Sequence, residues 1–251
     1  MHTVSNRGVR RSALIALGLV VAAMVVLGLT GQGLAQDAPI PAVAATGTLM
    51  LPPPDDAIVL FDGTDLSQWV KQGTDQPPGC KLVDGALEIH GGSITTKQRF
   101  TDFQLHIEFN VPLMPDARGQ ARGNSGVYMQ GSYEIQVLDS YGLQPKLGDC
   151  GAIYGVALPM VNACKPAEQW QTYDILFHAP RFDEDGNKVA NARITALHNG
   201  VWIHDNVEVP GPTTAAMRRD VTEPGPIMIQ DHGAPLKYRN IWLRPLGPVT
   251  E

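Results

Sequence analysis

Short runs of alternating apolar and polar residues, bounded by Gly, Asn, Asp or Pro, fill most of the 251-residue chain after residue 58. Almost no stretch repeats its apolar residues at the spacing of an amphipathic helix, whereas strict alternation is typical of half-buried strands. About a dozen strands without helical crossovers must pair antiparallel, and they bury their apolar faces only by packing two sheets together. The pattern therefore predicts an all-β fold, a two-sheet antiparallel jelly-roll sandwich.

Turn signals between these runs mark the ends of the strands. The clearest strand patterns are KLVDGALEIHG, FQLHIEFNV, SGVYMQ, YEIQVLD, TYDILFHA, ARITALH, VWIHDNVEV, PIMIQD and YRNIWLRP. Asn199-Gly200 predicts a tight hairpin, because Asn-Gly suits a type I′ turn. The segment from Asp183 to Asn187 has the composition of a calcium loop but not its spacing, so a plain hairpin tip is predicted there.

The first 35 residues differ in composition from the rest of the chain. Three arginines precede an apolar run from Ala13 to Leu29, and small residues continue to Ala35. This order is typical of a signal peptide over residues 1–35, so we predict cleavage after Ala35 and export to the periplasm or the extracellular space. An uncleaved membrane anchor is the alternative, because the apolar run approaches the length that spans a bilayer.

The chain beyond the predicted cleavage point divides into two parts. Residues 36–57 are rich in Pro and Ala without periodicity, so they are predicted to be a linker to a β domain over residues 58–248. Cleavage would remove three of the 19 Lys and Arg and none of the 25 Asp and Glu, which leaves sixteen basic residues and a net charge of −9. Such a chain is expected to bind neither nucleic acid nor, once cleaved, a membrane.

The three cysteines are Cys80, Cys150 and Cys164. An exported protein can form one disulfide from them and keep one thiol. A bond between Cys150 and Cys164 would restrain the segment GAIYGVALPMVNA, which has little regular pattern; three buried thiols are the alternative. The spacing of Cys and His does not indicate a zinc site.

The segment GNSGVYMQGSYEIQVLDSYG, residues 123–142, is predicted to form a hairpin with polar side chains on its second strand. Alternation directs three residues of that strand to the core: Tyr133, Ile135 and Val137. Glu134 and Gln136 then share the opposite face, and Tyr128 of the first strand lies across from Glu134.

Asp139 has the wrong parity to join Glu134 and Gln136, unless a β-bulge near Leu138 turns it to their face. Two carboxylates and an amide would then line one groove. Acetal cleavage needs such a pair, with one carboxylate ionised and the other protonated. A solvated outer face without function is the alternative.

Other polar and aromatic residues are candidates for the same groove. His232 is a candidate base or metal ligand, because its ring titrates near neutrality. Arg239 would bind substrate if a bulge exposes it, and a buried Arg239 paired with Asp231 is the alternative. A divalent cation held by the candidate acids and base would polarise a substrate oxygen. The remaining substrate-binding candidates are Gln230, Asn124, Tyr128 and Tyr154.

Two resemblances to known families involve the predicted strand that carries Glu134 and Gln136. Its EIQVLD pattern resembles the E-x-D-x-x-E strand of jelly-roll glucanases of glycoside hydrolase family sixteen, with Gln136 for the middle Asp and Asp139 for the last Glu. Those two changes disfavour the retaining mechanism of that family, because Gln136 does not share a proton and Asp139 is one methylene shorter.

A closer resemblance covers residues 58–246. The segments IVLFDGTDLSQW, GNSGVYMQGSYEIQVLDSYG, CGAIYGVALPMVNACKPAEQWQTYDI and IQDHGAPLKYRNIWLRPL resemble, in this order, the family of 3-keto-disaccharide hydrolases. The resemblance implies a concanavalin A-like lectin/glucanase sandwich. It also implies substrates that are glycosides oxidised at sugar carbon 3.

The implied substrate changes the chemistry that the site must perform. A ketone at carbon 3 acidifies the hydrogen on carbon 2, so a base can remove it and the glycosidic oxygen can leave. We expect a small sugar or glycoside substrate, with Glu134 and Asp139 as acid or base, assisted by His232. Gln136, Gln230 and Arg239 would orient the substrate. A non-catalytic lectin-like module and a conventional glucanase are the alternatives.

Overall fold

The computed structural model describes residues 48–247, which form an almost entirely β structure. The predicted signal peptide lies outside the described residues. In chain order the strands are β1 (Ile58–Phe61), β2 (Trp69–Lys71), β3 (Lys81–Val83), β4 (Ala86–Glu88), β5 (Ile94–Thr96), β6 (Phe103–Asn110), β7 (Ser125–Met129), β8 (Tyr133–Val137), β9 (Trp170–His178), β10 (Arg181–Phe182), β11 (Lys188–Ala190), β12 (Ala192–His198), β13 (Val201–Val209), β14 (Met228–Ile229) and β15 (Lys237–Pro245), with a short 3₁₀ turn at Gly119–Ala121.

Two antiparallel sheets contain nearly all of these strands. The larger sheet has eight strands in the order β13-β12-β9-β6-β15-β4-β3, with β1 also paired to β15. The smaller sheet has five strands in the order β2-β5-β14-β7-β8, and β10 and β11 form a separate hairpin. This arrangement confirms the predicted all-β antiparallel sandwich. Within residues 48–247, no helix is long and apolar enough to cross a membrane.

The core lies between the inner faces of the two sheets. Alternate residues of β6 and β9 point into it, and so do the three predicted residues of β8. Tyr133 of the smaller sheet meets Phe177 of the larger one with ring centroids 5.4 Å apart. Each such buried side chain contributes roughly 1.5–3 kcal/mol to folding, so this continuous apolar layer holds the sheets together.

The turns follow the predicted chemistry. Asn199 and Gly200 have φ values of 53° and 79°, as a type I′ turn between β12 and β13 requires. The segment from Asp183 to Asn187 closes the β10–β11 hairpin, and the Asp183 carboxylate accepts two of its backbone N–H groups. It is a hairpin tip, as predicted.

The end of the predicted linker packs against the larger sheet. The Met50 amide donates to Glu108 Oε1 over 2.5 Å, and the Leu51 carbonyl accepts from Asn240 Nδ2 at 3.0 Å and Trp242 Nε1 at 3.2 Å. Residues 48–51 therefore cover the outer face of that sheet. A compositional argument could not detect these bonds, because they depend on side chains 58 to 191 positions away in the sequence.

Candidate active site

Glu134 lies in the middle of β8, on the face of the smaller sheet that is turned away from the core. The register of the β7–β8 hairpin places Tyr128 opposite Glu134, as predicted. The turn between the strands uses Gln130 and Gly131 with φ values of 52° and 64°. This tight connection fixes which residues of β8 face outwards.

The carboxyl group of Glu134 is nearly free of solvent and poorly hydrogen-bonded. Its residue is 2% exposed, and among the described residues Oε2 has no hydrogen-bond partner. Burial raises the pKa of Glu134 to about 7, and a hydrogen bond with the Tyr128 hydroxyl offsets part of that shift. A carboxyl group in this state can both accept and give up a proton near neutral pH.

Gly126 leaves the space that the Glu134 carboxyl group occupies. A Cβ atom at Gly126 would lie 2.5 Å from Glu134 Oε1 and 2.8 Å from Tyr128 Cε2. No ordinary side chain fits there, so the Glu134 carboxyl folds over the bare backbone of β7. Gly126, the second glycine of the GNSG segment, is therefore a structural requirement of the site.

Gln136 lies beside Glu134 on the same face and takes part in an amide network. Its Nε2 donates to Gln120 Oε1 at 2.9 Å and to the Gly148 carbonyl at 3.2 Å. Asn124 Nδ2 donates to the same Gln120 Oε1 at 3.0 Å. Gln136 Oε1 is buried and has no hydrogen-bond partner in the described part of the chain, which is rare for a buried polar atom.

Three further candidates lie near Glu134: Gln230, Tyr128 and Tyr154. Gln230 Nε2 donates to the Tyr128 hydroxyl at 3.1 Å, and burial raises the pKa of Tyr128 well above its usual value, so the phenol stays protonated. The Tyr154 amide donates to the Glu134 carbonyl at 3.1 Å. Tyr128 therefore links Gln230, just after β14, with Glu134, whose pKa its hydroxyl lowers.

The outer face of the smaller sheet continues away from Glu134. Cross-strand pairs run from Glu134 through Tyr128, Met228 and Thr95 to Val70. Thr95 is three strands from Glu134, roughly 14 Å at the usual spacing of neighbouring strands. Thr95 and Val70 line a cavity of about 340 Å³ whose rim carries Lys97 and Arg99.

Asp139 is held by an arginine. The β7–β8 register runs without a shift as far as Val137, the last residue of β8. Val137 and Leu138 both pack in the apolar core, so alternation breaks at Leu138, where the sequence predicts an irregularity. Arg122 Nη2 donates to Asp139 Oδ2 over 2.5 Å, and the Asp139 amide donates to the Arg122 carbonyl at 3.0 Å.

Arg239 lies apart from Glu134, on the outer face of the larger sheet. A register shift in β15 and a φ of 44° at Asn240 turn its side chain outwards. Its Nε donates to Glu108 Oε2 at 2.7 Å, and its guanidinium carbon lies 4.0 Å from the centre of the Trp170 ring. The structure corrects its expected place beside the other substrate-binding candidates, and its partner is Glu108 rather than Asp231.

His232 follows β14 and is exposed. Among residues 48–247, only one trio of His, Cys, Asp or Glu side chains has the spacing of metal ligands: Cys150, Cys164 and His198. Glu134, Asp139 and His232 therefore do not converge as the expected cation site.

Sequence reasoning missed four residues around the site: Gly126, Gln120, Arg122 and Thr213. Thr213 Oγ1 accepts the Glu134 amide at 3.2 Å and donates to the Ser132 carbonyl at 3.1 Å. Gly126 had a signal, since a Gly inside a strand pattern indicates a close approach. The other three lie on irregular segments whose path cannot be read from periodicity.

A two-sheet sandwich with carboxyl, amide and phenol groups on the outer face of its smaller sheet is the architecture of a carbohydrate-active enzyme of the lectin/glucanase type. Residues 56–244 match the family described as 3-keto-alpha-glucoside-1,2-lyase-like domain, and the chain belongs to that family. No curated protein gives a significant sequence match.

Solved structures agree with this assignment. A candidate glycosyl hydrolase from Parabacteroides distasonis is 40% identical, with a TM-score of 0.72 over 78% of this chain and 86% of that one. A second candidate glycosyl hydrolase from the same organism is 18% identical, with a TM-score of 0.57 over 76% of this chain and 94% of that one. The first supports the family and the second the fold alone.

Proposed function

We propose that this enzyme cleaves the glycosidic bond of glycosides that carry a ketone at sugar carbon 3, and that Glu134 transfers the proton. One observation carries the proposal: a buried carboxyl group with a pKa of about 7 and an unpartnered oxygen on the outer face of the smaller sheet. Perturbed carboxyl groups of this kind are typical of acid–base catalysis.

The chemistry we assign to the site is elimination followed by hydration. Ionised Glu134 takes the proton from carbon 2, whose acidity comes from the neighbouring ketone. The electron pair left on carbon 2 forms a double bond to carbon 1 as the bond from carbon 1 to the glycosidic oxygen breaks. That oxygen takes up a proton and leaves as an alcohol. Water then adds, with hydroxyl to carbon 1 and hydrogen to carbon 2, and returns the 3-keto sugar.

The neighbours of Glu134 suit this reaction better than cleavage of an unactivated acetal. Acetal hydrolysis needs a second carboxyl group facing the first, whereas the carboxylate of Asp139 is bound to Arg122. We assign Asp139 a positioning role at the end of β8. Gln136 Oε1 would accept a substrate hydroxyl, and the Tyr128 hydroxyl would steady the carboxyl group as it changes charge.

The row of cross-strand pairs suggests where the leaving group lies. Met228 and Thr95 extend the face from Glu134 towards the cavity at Val70. A disaccharide with its 3-keto ring over Glu134 would place its second ring over Tyr128, one strand away, on the side towards Met228.

The test is incubation of the purified protein with 3-keto-trehalose in D₂O, with trehalose as the matched unoxidised substrate. We expect 3-keto-glucose carrying one deuterium at carbon 2, formed faster than in enzyme-free controls, and no reaction of trehalose. Product without deuterium would mean that the bond is cleaved by direct hydrolysis rather than by elimination. Binding without product would make the protein a lectin-like module and end the proposal.

A further inference from the structure

A second cluster of reactive side chains lies inside the sandwich. Cys150 and Cys164 are thiols, 3% and 4% exposed. Their Sγ atoms lie within 4.8 Å of each other and of a ring nitrogen of His198. A disulfide has its sulfur atoms about 2.05 Å apart, so a modest movement of the two side chains would allow a bond.

These two cysteines stand at the ends of the loop that pairs with β8. β8 is the edge strand of the smaller sheet, and the loop occupies the position of the next strand. The Gln136 amide donates to the Ala152 carbonyl at 3.0 Å, and the Tyr154 amide donates to the Glu134 carbonyl at 3.1 Å. The loop therefore holds the backbone of both site residues.

The Cys150 end of the loop is hydrogen-bonded to the core. The Cys150 amide donates to Ser140 Oγ at 3.1 Å. Cys150 Sγ lies 3.1 Å from the Tyr173 hydroxyl, which donates to the Gln136 carbonyl at 2.6 Å. The Cys150 sulfur is thus two hydrogen bonds from the backbone that carries the site.

We propose that Cys150 and Cys164 form a disulfide in an oxidising compartment and that this bond anchors the loop supporting Glu134 and Gln136. The oxidant is a disulfide that accepts two electrons, such as oxidised glutathione. The thiolate of one cysteine attacks it and releases one thiol, and the second cysteine then displaces the other. Two thiols lose two protons and two electrons, and the oxidant becomes two thiols. Because both sulfur atoms are buried in the folded chain, the exchange takes place while the loop is still open during folding.

The first test counts thiols. The full chain is refolded with oxidised glutathione, unfolded without reductant and alkylated. Its mass is then measured by mass spectrometry. We expect one alkylated cysteine, Cys80, and three after reduction; Cys80→Ser should give none and then two. Three alkylated cysteines before reduction, a peptide linking Cys80 to another cysteine, or stoichiometric zinc in the purified protein would overturn the proposal.

The second test asks whether the bond anchors the loop. Reduction with dithiothreitol should lower Tm by about 6–12 °C, because a 15-residue loop loses its cross-link. Trypsin should then cut the reduced protein faster after Lys146, an exposed residue just before the loop. The Cys150→Ser/Cys164→Ser double variant should show neither response, and Cys80→Ser should show both. If the double variant does not fold, the dithiothreitol response of the wild-type chain decides. Equal Tm and equal cleavage in the two redox states would contradict the anchoring role.

Discussion

Each sheet of the sandwich carries one buried glutamate on its outer face, and the two have opposite properties. Glu134 on the smaller sheet has an unpartnered Oε2 atom, and burial raises its pKa to about 7. Glu108 on the larger sheet is also buried. There burial opposes ionisation, but the nearby His106 ring and hydrogen bonds from Asn240, Arg239 and the Met50 amide outweigh it and lower the pKa of Glu108 to about 2.

The partners of Glu108 form a closed network. His106 Nδ1 lies 2.7 Å from Asp174 Oδ1, and its ring stacks on Trp242 with centroids 5.1 Å apart. Burial disfavours the charged form of His106, but Asp174 and Glu108 outweigh it and raise its pKa. Residues 48–51 cover this network from outside.

The comparison shows that hydrogen-bond partners, rather than burial alone, decide what a buried carboxylate can do. A fully bonded carboxylate is locked in its ionised form and contributes to structure. An unbonded one keeps a proton to higher pH and remains available for chemistry. We therefore assign catalysis to the face of Glu134 and stability to the face of Glu108.

The largest expected effect separates the two glutamates by activity. Glu134→Gln should lower kcat on a 3-keto-glycoside by about 10³-fold, because it removes the proton-transfer group. Steady-state kinetics at pH 7.5 measures this. Glu208→Gln, an exposed carboxylate on β13, is the matched control and should keep wild-type kcat. A fall of less than tenfold in Glu134→Gln would move catalysis to another residue.

The second prediction concerns stability against pH. The pKa of Glu134 is raised from 4.5 to about 7 on folding, so its contribution is fully present below pH 4.5 and is lost as pH rises through 7. At pH 8.5 the free energy of unfolding of Glu134→Gln should therefore be about 3 kcal/mol higher than that of the wild-type protein. Urea unfolding at both pH values measures this, and a difference that does not shrink towards pH 4.5 would be inconsistent with titration of Glu134.

The third prediction applies to the other glutamate. Glu108→Gln should lower the free energy of unfolding by about 2 kcal/mol at pH 7, because its ion pairs with His106 and Arg239 are lost. kcat should stay at the wild-type value, since this residue lies on the other sheet. Loss of kcat with unchanged stability would reverse the assignment of the two faces.

The smallest expected effect tests the single hydrogen bond on Glu134. Tyr128→Phe removes the hydroxyl that lowers the pKa of Glu134, so the midpoint of the acidic limb of kcat/KM should rise by about one pH unit. A pH profile of kcat/KM measures this. A midpoint that falls would mean that the phenol raises the pKa of the carboxyl group.

Regular features of this molecule were predictable from sequence. The outward position of Glu134 and Gln136 follows from strand parity, and the Tyr128 pairing follows from the length of the hairpin loop. The turn at Asn199 follows from its residue type. Each depends only on neighbours within a few positions.

Irregular features were not predictable in the same way. The chain leaves strand geometry after Val137, and a register shift turns Arg239 outwards. Strand alternation does not predict the direction of side chains beyond such points. The sequence therefore places Asp139 and Arg239 in a groove that neither is shown to share with Glu134. Three partners of Glu108, namely Met50, Arg239 and Asn240, come from distant segments, which periodicity cannot identify. Finding them required the assembled fold.

The most direct test of the account is the titration of the Glu134 carboxyl group itself. Carbon-13 NMR of protein labelled at the glutamate carboxyl carbon, with Glu134→Gln to assign the signal, measures it. We predict a midpoint near pH 7 for Glu134, while the Glu108 signal stays in its ionised position down to about pH 3. A Glu134 midpoint at or below 4.5, the ordinary value for this side chain, would contradict the account.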